Sequence, residues 1–203
     1  MNHKIRLGIL GGGGDSLIGV LHRIASSMYD KYHIVGGVFN PNWEDNIGFA
    51  NKIGLPTNRI YTDFDTLIGE ELKLPKDQRM QVVSILTPNF LHFPMAKKLV
   101  ANGFHVICEK PMTKTIEEGR SMVNVLQQYD RVLQVGSMQR SWAKFIKANE
   151  IVKSGKLGKI KRVLVNVGDP FSAYDLPFQE TPDGVDWNLW CGPSPLIHYH
   201  DTI

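Results

Sequence analysis

Cysteine is nearly absent: Cys108 and Cys191 are the two in 203 residues. They stand far apart and match neither a zinc-ligand nor a redox-motif spacing, which excludes a disulfide framework and a thiol redox centre as organising features. Charge of one sign is scarce as well. Lys and Arg number 23 against 20 Asp and Glu, a formal net charge of +3. The basic residues are scattered rather than gathered into a run that tracks phosphates, so no nucleic-acid partner is expected. Long apolar runs are missing too; none approaches the roughly 18 residues of a membrane span, and no membrane association is expected. Met1-Asn2-His3-Lys4 leads straight into Ile5–Leu10 without a signal-peptide core or cleavage site. The expectation is a reduced, cytoplasmic setting with two inert thiols.

What is present is an ordinary globular composition, 42% hydrophobic and 21% charged, in a length between one common domain and two full ones. Ile5–Leu10 is a short apolar run closed by Gly11–Gly14, after which Leu17, Val20, Leu21 and Ile24 recur at helical spacing. The order is strand, glycine turn, helix. Ile34–Phe39, Arg59-Ile60-Tyr61, Val82–Leu86, Phe104–Cys108 and Val132–Gly136 are further strand candidates. Helices are predicted around Ile47 to Ile53, over Asp63–Leu72, around Met95 to Val100 and over Ile116–Tyr129. Each strand is apolar throughout, the pattern of a parallel sheet covered on both faces. Six such strands alternating with helices predict an α/β fold, a doubly wound Rossmann sheet over residues 1–136.

Beyond Gly136 the pattern changes. Ser141–Ser154 reads as a helix, and Lys161–Val167 alternates Arg162, Leu164 and Asn166 against Val163, Val165 and Val167. That alternation predicts a half-exposed strand opening a mostly antiparallel sheet. Residues 137–203 are therefore expected to begin an α+β substrate or oligomerisation domain. A proline-rich stretch from Pro170 to Pro195 comes next, without the further strands such a sheet needs. The expectation is a chain truncated before that domain is complete.

A strand-to-helix turn without side chains lets a pyrophosphate approach the backbone and rest on the positive end of the helix. Gly11 and Gly13 fit the first two positions of such a cradle. Strict G-x-G-x-x-G spacing puts Ser16 at the third, and the next glycine is Gly19, so the turn is enlarged. A tight structural turn is the alternative. At the end of the second strand an acidic residue would favour NAD and a basic one NADP. Asn40 stands there, with Glu44 and Asp45 slightly too late, so the expected cofactor is NAD(P) with the preference open. Asn40-Pro41 also suits a plain turn.

Thr87-Pro88-Asn89-Phe90-Leu91-His92 followed by Glu109-Lys110-Pro111 resembles the paired signature of the Gfo/Idh/MocA oxidoreductases, the glucose–fructose oxidoreductase and inositol dehydrogenase family. The similarity runs on through Gly136-Ser137-Met138-Gln139-Arg140, the segment from Ser154 to Ile160, and Trp187–Pro193. The resemblance implies hydride transfer between a nicotinamide cofactor and a hydroxyl or carbonyl of a sugar- or cyclitol-like substrate, and a homo-oligomer for the full-length form. It also implies a cofactor cleft lined by Thr87, Pro88 and Asn89, with His92 following and with Gln139 and Arg140 at the mouth. Trp190 or Trp187 would cover it. Lys110 is the catalytic candidate, held by Glu109 and Pro111. Both motifs fall past the carboxyl ends of adjacent parallel strands, where the crevice of an open α/β sheet lies. There an ammonium can hydrogen-bond the reacting oxygen. Bland alternatives are a helix cap for Asn89, and packing for His92 and the tryptophans.

One feature of the family is missing. Its usual Gly-x-x-x-Asp-x-Gly-x-His stretch has no counterpart here; His198, His200 and Asp201 lack the glycine frame. His-x-His has no recognisable third ligand, and no metal is assigned. Two other functions therefore stand beside the dehydrogenase. One is a non-catalytic regulatory protein that binds NAD(P); the other is a redox-neutral, glycosidase-type enzyme with tightly held NAD.

Overall fold

The computed structural model describes residues 4–166, 168, 175–183 and 185–202. The chain divides after Gly136 into two compact units. In the first, the strands are β1 (Ile5–Gly11), β2 (Tyr32–Val38), β3 (Val82–Leu86), β4 (His105–Cys108) and β5 (Leu133–Val135). The helices between them are α1 (Leu17–Ser27), α2 (Trp43–Lys52), α3 (Phe64–Lys73), α4 (His92–Ala101) and α5 (Ile116–Tyr129). The sheet order is β2-β1-β3-β4-β5, and all neighbours are parallel. Strand order reverses at β1, so a crevice opens past the carboxyl ends of β1 and β3.

The uniformly apolar strands follow from burial on both faces. Leu7 and Ile9 of β1 pack with Phe39, Phe49, Ala50, Ile60 and Leu86. Leu10 joins Met80, Ile85, Leu99, Phe104 and Met122 in the second core layer. Side chains of Asn42, Asp63 and Thr115 accept the backbone N–H three residues on and start α2, α3 and α5. Helix α1 is different. The apolar positions that reveal it in sequence, Leu17, Leu21 and Ile24, are exposed. Its inner face is Ile18, Gly19, His22, Arg23 and Ser26.

Two expected strands are corrected. Arg59-Ile60-Tyr61 contributes a single parallel bridge, Ile60 to Gly37, so the sheet has five strands and not six. The segment is pinched between a 3-10 turn at Thr57–Arg59 and the cap of α3, leaving no length for a ladder. It approaches β2 closely because Gly36 lacks a Cβ, which would stand 2.0 Å from the Arg59 carbonyl oxygen. Residues 161–166 of the Lys161–Val167 strand carry no regular structure, and Val167 lies outside the described residues. A strand needs a neighbour to satisfy its backbone groups, and no ladder partner accompanies 161–166 among the described residues.

The second unit contains α6 (Ala143–Lys153) and the short α7 (Trp187–Cys191), with one antiparallel bridge between Gln179 and Tyr199. Trp187 stacks on Trp190 with centroids 4.5 Å apart and meets Tyr199 edge-on. Among the described residues no helix is long and apolar enough to cross a membrane, and no antiparallel sheet forms in this unit.

One buried carboxylate ties the first unit together. Glu71 is 0% exposed. It accepts from Arg59 Nε and Nη2, from the Tyr61 hydroxyl at 2.6 Å and from the Met80 backbone N–H at 2.6 Å. Burial, then the Glu71 hydrogen bond and charge, push the Tyr61 hydroxyl well above its ordinary range. Removing one partner of a buried pair strands the other charge, so Glu71→Gln is expected to cost about 3–5 kcal/mol in urea unfolding; a loss below about 1 kcal/mol would show that Arg59 finds other solvation. Asp63 offers a pH test. The Thr66 backbone N–H, then the Thr66 and Thr62 hydroxyls, hold its carboxyl down from 3.8 to about 2. A depressed carboxylate contributes stability that is complete above its unfolded-state value and fades as pH falls through the folded one. The stability difference between wild type and Asp63→Asn is expected to stay flat at neutral pH and change only as pH falls from 3.8 towards about 2, as read from denaturant melts across that range.

Candidate functional site

The glycine run that begins at the end of β1 makes a turn that leaves no room for a Cβ at Gly11 or Gly13. Gly11, Gly12 and Gly14 have φ of 77°, 67° and 56°, in the left-handed region. A Cβ on Gly11 would stand 2.8 Å from the Leu86 carbonyl oxygen, and one on Gly13 would stand 2.6 Å from that of Phe39. The turn therefore threads between the ends of β3 and β2. The third cradle position is resolved by geometry and not by spacing. Ser16 is the cap of α1, its hydroxyl accepting the Gly19 N–H at 3.2 Å. Gly19 makes the close approach: its Cβ would be 1.9 Å from the Gly12 carbonyl oxygen. Arg23 donates to that same oxygen at 2.9 Å.

Asn40 follows β2, and its side chain accepts the Asn42 N–H at 2.8 Å. The fully buried Asn46 anchors this end of the strand, accepting from the Phe39 N–H and donating to the Tyr61 carbonyl, both at 2.8 Å. Neither an acidic nor a basic side chain occupies position 40.

The two signature motifs meet through His92. Its ring is 1% exposed. Nε2 lies 2.8 Å from the Thr87 carbonyl oxygen and Nδ1 lies 2.7 Å from that of Pro111. Both ring nitrogens are engaged by the loops themselves, so the residue holds the loop after β3 against the loop after β4. Thr87, Pro88 and Asn89 lead into a 3-10 turn at Asn89–Leu91. Asn89 is exposed and its side chain caps neither that turn nor α4.

Lys110 is exposed past β4, before a cis bond to Pro111. Glu109 points the other way. It is 6% exposed; Oε2 accepts the Lys110 N–H at 3.1 Å, and Oε1 lies 3.0 Å from His22 Nε2. His22 Nδ1 in turn lies 3.0 Å from Ser84 Oγ. Gly136 closes the slot, since a Cβ there would stand 2.5 Å from Glu109 Oε1. Burial, then the neighbouring Glu109 charge, push the Cys108 thiol up to about 12, so it stays a thiol at neutral pH.

Gln139 and Arg140 lie in an exposed 3-10 turn at Met138–Ser141, and Trp190 is stacked on Trp187 in α7, all within the second unit. There His200 contacts Thr202 and Asp201, and His198 Nε2 bonds the Leu176 carbonyl. Among the described residues no group of three His, Cys, Asp or Glu could hold a metal ion. Sequence reasoning missed His22 and Ser84, and it missed the close contacts that Gly19 and Gly136 make. Their only sequence signal is position: one helical turn past the last glycine for His22, and one residue past β5 for Gly136. His92→Leu would remove the buried ring's polar contacts with the two loop carbonyls and is expected to cost about 2–4 kcal/mol in denaturant melts; an unchanged midpoint would mean water replaces the ring.

A model of the Gfo/Idh/MocA family, an oxidoreductase family with an NAD-binding Rossmann fold, matches residues 5–137. An uncharacterised oxidoreductase of Bacillus subtilis is 28% identical over 86% of this chain and 44% of its own length. UDP-N-acetylglucosamine 3-dehydrogenase of Acidithiobacillus ferrooxidans is 28% identical over 67% of this chain and 38% of its own length. The crystal structure of an inositol dehydrogenase homologue from Azotobacter vinelandii, complexed with NADH and myo-inositol, aligns with a TM-score of 0.74. It is 32% identical over 78% of this chain and 41% of that one. The chain thus spans less than half the length of these relatives. With the matching segment extending from β1 to just past β5, the chain belongs to the Gfo/Idh/MocA oxidoreductase family.

Proposed function

We propose that this chain is the cofactor-binding half of an NAD(P)-dependent dehydrogenase that moves a hydride to or from a hydroxyl-bearing carbon of a sugar- or cyclitol-like substrate. The observation that carries the reading is that the turn in which Gly11 and Gly13 leave no room for a Cβ and the loop that bears Lys110 both lie at the carboxyl ends of the parallel strands. The residues fit a dinucleotide. Gly11, Gly13 and the first turn of α1 offer backbone N–H groups and a positive helix end to a pyrophosphate. Asn40 stands where the adenosine ribose would be held, and its neutral amide favours neither dinucleotide through charge. Thr87, Pro88, Asn89 and Pro111 would border the nicotinamide side, with His92 in contact with the Thr87 and Pro111 carbonyls. Gln139, Arg140 and Trp190 belong to the second unit, which on this reading begins the substrate domain.

A bound nicotinamide supplies the hydride acceptor or donor. Lys110 Nζ would donate a hydrogen bond to the substrate oxygen, stabilising the alkoxide left when the hydroxyl proton passes to solvent and polarising the carbonyl in the reverse direction. The sugar-like substrate class rests on relatives named for UDP-N-acetylglucosamine and inositol.

Calorimetric titration of NAD+ and of NADP+ into the 203-residue protein tests the reading. At least one is expected to bind with a Kd on the order of micromolar, about −8 kcal/mol. Gly19→Ala, whose methyl would collide with the Gly12 carbonyl, is expected to weaken binding about tenfold or more while keeping the wild-type circular dichroism spectrum. Binding of neither dinucleotide, or equal binding by Gly19→Ala, would overturn it.

A further inference from the structure

We propose that His22, held by Ser84, is a positioning residue for Lys110, acting through the buried Glu109 carboxylate; the idea rests on the reading of Lys110 as the catalytic group. Glu109 is a charge almost removed from water, at 8% side-chain exposure. Such a carboxylate keeps one conformation only where donors meet both oxygens. Here one oxygen takes the Lys110 backbone N–H and the other takes His22 Nε2.

The direction of the hydrogen bonds follows from the partners. A carboxylate only accepts, so Nε2 carries the proton facing it, and Nδ1 is left to accept from the Ser84 hydroxyl. Ser84 lies in the middle of β3 with no exposure, so the ring is anchored to the rigid centre of the sheet. A small cavity lined by Leu7, Ala25, Ser26, Tyr32 and Ile107 lies against it. On the far side of the carboxylate the bare Cα of Gly136 leaves just enough room for Oε1 and none for a side chain. Glu109 is thereby held from α1, from the end of β5 and from its own loop.

The consequence is geometric. α1 is the helix whose Gly19 packs on the glycine turn, and His22 lies one turn further along the same inner face. One helix therefore sets both the cradle for the pyrophosphate and, through Glu109, the backbone that aims Lys110. The distance between the two is kept by a hydrogen-bonded chain and not by loop conformation alone.

The test compares His22→Leu with His22→Gln, whose amide nitrogen can reach the place of Nε2 and still donate to Glu109. Hydrogen exchange of the Lys110 amide, read by NMR, needs no cofactor. In His22→Leu it is expected to exchange about tenfold faster or more, as loss of a charge-assisted hydrogen bond implies. The Val106 and Gly136 amides, which close the β4–β5 ladder, are expected to keep wild-type rates. His22→Gln is expected to stay within about threefold of wild type. Unchanged Lys110 exchange in His22→Leu, or equal acceleration of the ladder amides, would overturn the proposal, the latter by showing a general packing role. Should His22→Leu fail to fold, Ser84→Ala decides: faster Lys110 exchange supports the chain and an unchanged rate sinks it. Dinucleotide titration of the same proteins separates the two ideas. Wild type that binds neither NAD+ nor NADP+ while Lys110 exchange responds as expected would refute the cofactor reading and leave the hydrogen-bonded chain standing.

Discussion

Helix α1 rests so closely on the turn after β1 that a methyl group at position 19 would stand 1.9 Å from the Gly12 carbonyl oxygen. Much of the carboxyl edge of the sheet depends on that approach. It requires glycine at position 19, brings the Arg23 guanidinium to the same carbonyl, and carries the His22 ring to within hydrogen-bond distance of Ser84 and Glu109. A helix displaced outward by about an ångström would lose each of these contacts, because hydrogen bonds weaken steeply beyond their normal distance. The close approach also explains the unusual composition of the inner face. Apart from Ile18, small and polar residues face the sheet, while Leu17, Leu21 and Ile24 face outward.

Two buried carboxylates divide the work of holding the sheet. Glu71 gathers Arg59, Tyr61 and the Met80 backbone, joining α3, the segment after the Thr57–Arg59 turn and the entry to β3. Glu109 does the same at the opposite, carboxyl edge, between α1 and the Lys110 loop. In both cases a charge withdrawn from water is tolerated because several donors converge on it. The partners consequently have little freedom. The first cluster fixes the scaffold, and the second adjoins the loop that carries Lys110. His92 completes the carboxyl edge by joining the loops after β3 and β4 through their carbonyl groups.

Much of the fold was legible in the chain. Apolar runs of strand length separated by helical periodicity identify all five strands, and Ile116–Tyr129 reads as the helix it is. Burial on both faces makes such strands distinctive. Arg59-Ile60-Tyr61 misled because Ile60 is buried, as a strand residue would be, yet the flanking turn and cap leave room for one bridge. Residues 161–166 misled for a different reason. Alternation records which side chains are apolar, whereas strand formation also depends on a partner in space. At the site, the Glu-Lys-Pro and Thr-Pro-Asn motifs were recognisable by their order along the chain, as was the glycine run. The contacts of His92 with two loop carbonyls were not legible there, since they join segments apart in the chain.

By itself the sequence determined the alternating α/β class, the glycine turn opening α1, and the placement of Lys110 just past a parallel strand. These are local facts, since periodicity, caps and glycines act over a few neighbouring residues. Only the tertiary structure decided that Gly19 and not residue 16 makes the close contact, that Glu109 turns inward, and that His22 and Gly136 enclose it. Those contacts join residues 87 and 27 positions apart in the chain. No local pattern encodes which side chain of one element will find a buried charge on another, because that is settled when the sheet and its helices pack and each polar group removed from water must be matched.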